Sequence, residues 1–156
     1  MASYTARIAW ADDGEFLSGR YSRGHEISFD GGASVRGSSS PHVVPLPFSD
    51  PAGVDPEEAL IASVSACHML WFLSLAQAAG VHVTAYEDEA EGIMGRVDRG
   101  RIAMTRIALR PRIRFAGADP DADRIEQLHH EAHERCFIAN SLKTEIVVEP
   151  PVKALP

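Results

Sequence analysis

The run Asp55-Pro56-Glu57-Glu58-Ala59-Leu60-Ile61-Ala62-Ser63-Val64-Ser65-Ala66-Cys67-His68 carries every signal of a helix start. Asp55 has the short acceptor side chain favoured at an N-cap, Pro56 suits the first helical position, and Glu58 sits where a capping-box carboxylate reaches back. No formal charge interrupts residues 59–79, and Gly80 supplies a stop. The segment is long enough to cross a bilayer. Its serines, His68 and Gln77, with no basic flank to orient it, match the buried core helix of a globular protein instead.

Outward from this helix, the pattern changes on both sides. Upstream, residues 37–55 hold Pro41, Pro45, Pro47 and Pro51 and read as a long irregular loop. Before it, residues 3–10 and 15–21 are expected to form a hairpin around Asp12-Asp13-Gly14, and residues 25–29 a short third strand ended by Asp30-Gly31-Gly32. Downstream, residues 81–97 and 101–115 read as two long strands joined at Asp98-Arg99-Gly100. The second alternates Ile102, Met104, Arg106 against Ala103, Thr105, Ile107. A second helix is expected after Asp119-Pro120, with Ile125, Leu128 and Ala132 on one face. Cys136 follows in a loop or short turn, and residues 144–149 close the chain as a strand. Strands, helix, strands, helix, strand is an α+β order, expected to form one domain over residues 1–156.

Composition narrows the function. Lys and Arg number 15 against 22 Asp and Glu, giving a net charge of −7 and a pI near 5.4. That balance argues against nucleic acid or an anionic membrane as partner. Two cysteines are too few for a disulfide scaffold, and the N-terminus has no secretory pattern, so a cytoplasmic location is expected. There a cysteine pair is transient and catalytic rather than structural. A single helical cysteine is ordinarily a packing residue. Cys67 acquires chemistry only if Cys136 folds back beside it.

Three segments resemble the OsmC/Ohr hydroperoxide reductases. Asp55-Pro56-Glu57-Glu58, an Ala/Ser-rich helix and Cys67-His68 look like the family's first motif. Ala132-His133-Glu134-Arg135-Cys136-Phe137 resembles its second-cysteine motif, with Phe137 where proline is common. Tyr21-Ser22-Arg23-Gly24-His25 resembles the segment that supplies the active-site arginine. The resemblance implies an OsmC-like fold, antiparallel sheets wrapped around central helices in an intertwined homodimer. It also implies a two-cysteine thiol peroxidase without metal or organic cofactor, reducing organic hydroperoxides to alcohols. Cys67 would be the peroxidatic and Cys136 the resolving thiol, Arg23 would stabilise the Cys67 thiolate, and Glu57 would orient Arg23. An external dithiol, lipoyl-type in Ohr relatives, would reset the enzyme.

Arg20 and Arg36 compete for the role of Arg23, while Glu58 is accounted for by capping. Ten helical residues rise about 15 Å and rotate roughly 280° in phase, so Glu57 and Cys67 of one straight helix cannot touch one small peroxide. Two antiparallel copies across a two-fold axis would bring Glu57 of one chain toward Cys67 of the other. Met69, Leu70, Trp71 and Phe72 are candidates for an apolar wall favouring alkyl peroxides.

Rival readings remain. His129, His133 and Cys136 have a spacing that suits zinc on one helix face, although a solvated polar face accounts for them more simply. A Cys–His hydrolase would need a histidine other than His68, which points about 100° away from Cys67. A non-enzymatic stress protein binding an apolar ligand in the same fold is the third alternative.

Overall fold

The computed structural model describes residues 2–150, which group into two compact units divided after Ala59. In the first unit, β1 (Ala6–Ala9), β2 (His25–Phe29) and β3 (Ser34–Gly37) form an antiparallel sheet with β2 central. Ile27 lies opposite Ile8 on one side and Val35 on the other. The expected hairpin between residues 3–10 and 15–21 does not form. The Asp12 carboxylate accepts the Gly14 and Phe16 N–H groups at 2.9 and 3.1 Å, which folds the chain into a 3-10 turn at Phe16–Ser18. β1 therefore pairs with β2 instead. The Asp30-Gly31-Gly32 stretch, read as a strand terminator, is a hairpin turn with Gly32 at φ 87°, and leads into β3, which sequence reading missed.

The capping box forms as expected. Asp55 Oδ1 accepts the Glu58 N–H at 2.8 Å, and Glu58 Oε2 accepts the Asp55 N–H at 3.1 Å. It opens helix α1 (Pro56–Ala78). At the other end Gly80 takes a left-handed φ of 72°, with Gly80 N–H bonded to Gln77 O and Val81 N–H to Ala76 O. That is the paired carbonyl capping of a Schellman stop.

In the second unit the two long strands expected at residues 81–97 and 101–115 are each broken. They yield β4 (Val83–Asp88), β5 (Glu91–Arg96), β6 (Ile102–Leu109) and β7 (Pro111–Phe115). The cause is local. Asp88 Oδ1 captures the Arg110 N–H at 2.6 Å, its other oxygen accepts from Ser65 Oγ, and Pro111 has no N–H to extend the ladder. β4 pairs only with β7, while β5 and β6 join β8 (Glu145–Val148) in the order β5-β6-β8. β8 runs parallel to β6, whereas the other strand pairs among β1–β8 are antiparallel. Asp121 caps helix α2 (Ala122–Arg135) by accepting the Arg124 N–H at 2.7 Å.

The α1 helix is long and apolar enough to cross a membrane. Its inward stripe is Val64, His68, Phe72 and Ala76, spaced four apart. Val64 packs with Ile107 and Leu109 of β6, whereas Phe72 and Ala76 pack with Leu128 and Ala132 of α2. Cys67 and His68 stand between these two cores. The opposite face, Ala62, Ala66, Leu70 and Ser74, is exposed.

Candidate active site

Cys67 lies half-buried on α1, and Cys136 lies buried at the C-cap of α2. The fold brings Cys136 close enough to Cys67 for the two free thiols to interact. Burial first, and interaction with the Cys67 thiol second, push the Cys136 thiol up to about 11. The Ala139 N–H, pointing at Cys136 Sγ from 3.4 Å, opposes this only partly. Cys136 therefore keeps its proton at neutral pH.

A tight turn fixes Cys136 in place. Its N–H donates to His133 O at 3.1 Å, and its carbonyl accepts the Asn140 N–H at 3.0 Å. The Asn140 side chain donates to Glu134 O, satisfying a terminal carbonyl of α2. Phe137 is thereby turned outward, 68% exposed, with its ring edge-on to Trp71 at 5.6 Å. The Arg135 guanidinium lies 5.9 Å from the same indole. Of the apolar wall expected from Met69 to Phe72, Phe72 belongs to the core. Trp71 and Phe137 form an apolar lip, and Leu70 remains exposed.

Arg23 and Glu57 lie in the first unit. Arg23 donates to Tyr21 O and stacks over the Tyr21 ring at 3.7 Å. It borders an open groove of about 340 Å³ with Trp10, Phe16 and His25. Its competitors are committed elsewhere: Arg20 pairs with Glu15 at 3.3 Å and Arg36 with Asp50 at 2.7 Å. Arg23 has no carboxylate partner among the described residues. Glu57 is half-buried in the first turn of α1, separate from the capping bonds that occupy Glu58.

Of the α2 histidines expected on a solvated face, His130 is exposed and His133 half-buried, while His129 turns inward against His68. His68 Nε2 and His129 Nδ1 are 3.0 Å apart, with ring centroids at 5.3 Å and planes 11° from parallel, and His129 also lies against Phe72. Burial lowers both to about 4, with His129 and His133 adding to the effect on His68. The bond to His68 engages His129 Nδ1. Among the described residues no three His, Cys, Asp or Glu side chains are grouped to hold a metal ion. This pairing of buried His68 with half-buried His129 was missed in the sequence, although His68 falls between Val64 and Phe72 on the inward stripe and His129 follows core Leu128.

Comparison with known proteins agrees with this architecture. Residues 49–150 match the model of the OsmC-like protein family. The peroxiredoxin OsmC of Escherichia coli K12 is 28% identical over 107 residues, covering 69% of this chain and 73% of the relative. An OsmC-like protein of unknown function from Vibrio cholerae superposes with a TM-score of 0.93 at 45% identity, covering 96% of this chain and 99% of the other. An organic hydroperoxide resistance protein OsmC from Legionella pneumophila superposes with a TM-score of 0.71 at 14% identity, covering 97% and 98%, a likeness of fold.

Proposed function

The chain belongs to the OsmC-like protein family, and from that premise we propose that it is a cytoplasmic two-cysteine thiol peroxidase acting on organic hydroperoxides. The contact between reduced Cys67 and Cys136 carries the reading. The name peroxiredoxin borne by the Escherichia coli relative points to the same reaction class. Cys67 attacks the distal peroxide oxygen, the O–O bond breaks, and the products are Cys67 sulfenic acid and an alcohol. The Cys136 thiol then displaces the sulfenic oxygen as water, giving a Cys67–Cys136 disulfide. An external dithiol supplies two electrons and two protons to restore both thiols.

Roles follow from the local chemistry. Cys136, held protonated, is poorly suited to attack first and well placed to resolve. Arg23, without a carboxylate partner among the described residues, is the cation we assign to the Cys67 thiolate, oriented by Glu57. Because α1 is unbroken from Pro56 to Ala78, Glu57 and Cys67 serve different sites. The exposed stripe of Ala62, Ala66 and Leu70 supports a second copy packed on α1, its small residues permitting close approach.

A steady-state assay with cumene, tert-butyl and hydrogen peroxides, each with several dithiols, tests the proposal. Turnover of the organic peroxides that disappears in Cys67→Ser is expected. Absence of turnover with every peroxide and dithiol would contradict it.

A further inference from the structure

Neither His68 nor His129 takes part in the two-cysteine chemistry, yet they join the helices that carry the two thiols. His68 is adjacent to Cys67 on α1, and His129 lies two turns before Cys136 on α2. Besides His68, the buried residues packed between these helices are Phe72, Ala76, Leu128 and Ala132, with His129 half-buried beside them. Such apolar packing is non-directional. A slip of one residue moves a helix about 1.5 Å along its axis while the same surfaces stay covered.

Disulfide formation does not tolerate that slip. The sulfurs must close to about 2.0 Å with Cβ atoms roughly 3.5–4.5 Å apart. The His68–His129 bond, at 3.0 Å between rings whose planes are 11° from parallel, is directional. Among the described residues it is the one side-chain hydrogen bond between α1 and α2. With both rings neutral, one nitrogen donates and the other accepts, so the bond has a single productive alignment.

We infer that the His68–His129 hydrogen bond is a positioning device, setting the axial register of α1 against α2 so that Cys136 Sγ meets Cys67 Sγ. This rests on the reading that the two cysteines form a disulfide.

The test is the equilibrium of the thiol pair with glutathione: protein dithiol plus glutathione disulfide gives protein disulfide plus two glutathione thiols. The double variant His68→Met/His129→Leu removes both partners together and leaves no orphaned polar group, so stability should be nearly retained. Its equilibrium constant for disulfide formation should fall about fivefold or more, the equivalent of one net hydrogen bond. The single variant His129→Asn, which keeps an amide near the Nδ1 position, should stay within about twofold of wild type. A merely structural role predicts the opposite ranking, with the stable double variant unchanged, and that result overturns the inference. Should the double variant not fold, His68→Gln against His68→Met makes the same comparison, and equal constants overturn it. Cumene hydroperoxide is tried on wild type in parallel. Its failure to oxidise Cys67 would sink the peroxidase reading, while the glutathione titration would still decide the register.

Discussion

The thiol of Cys136, sealed at the end of α2, lies close enough to Cys67 in the middle of α1 for the two to interact. Two residues far apart in the chain meet because α1 packs on α2 through Phe72, Ala76, Leu128 and Ala132. The turn at Ala139–Ser141 then fixes Cys136 behind the outward Phe137.

The two desolvated imidazoles give stability a defined pH dependence. His68 and His129 sit at about 4 in the folded chain against an ordinary 6.5. As pH falls between those values the unfolded chain binds protons that the folded chain does not. Their stabilising neutrality is complete above about 6.5 and lost progressively as pH falls toward 4. Melting temperature followed from pH 7 to 4 should drop more steeply in wild type than in His68→Met/His129→Leu. Parallel curves would show that neither imidazole is held neutral.

The start of α1 offers a simpler check. Asp55→Ala removes the cap acceptor and should cost about 1 kcal/mol, with Asp55→Asn retaining most of it. Urea denaturation midpoints measure both. An unchanged midpoint for Asp55→Ala would mean that the capping box contributes nothing.

What was legible in the sequence was what is encoded locally. Asp55, Pro56 and Glu58 announce the start of α1, Gly80 its end, and the α+β order follows from periodicity. The hairpin expected at residues 15–21 failed because Asp12 spends its carboxylate on the backbone of Gly14 and Phe16, a choice that alternation does not register. The long strands were split by Asp88 capturing the Arg110 N–H, a contact between segments distant in sequence. For the same reason the meeting of Cys67 with Cys136 and of His68 with His129 could not be read from spacing. His129 looked solvated because α2 is polar, and only the packing against Phe72 reveals its burial.

The arrangement of Glu57 and Cys67 on one unbroken helix predicts composite sites in a dimer. A Cys67→Ser chain and a Glu57→Ala chain should each be nearly inactive alone. In their heterodimer one site collects both lesions and the other neither, so activity should return to about half of wild type per dimer. Verified heterodimers without recovery would contradict sites shared between chains.

The central claim is that Cys67 and Cys136 act as a peroxidatic and resolving pair, and intact mass after one equivalent of cumene hydroperoxide tests it most directly. Wild type should lose about 2 Da through a single intramolecular disulfide, and Cys136→Ser should stop at a trappable sulfenic acid on Cys67. Oxidation of Cys136 first, or a disulfide linking two chains, would contradict the account.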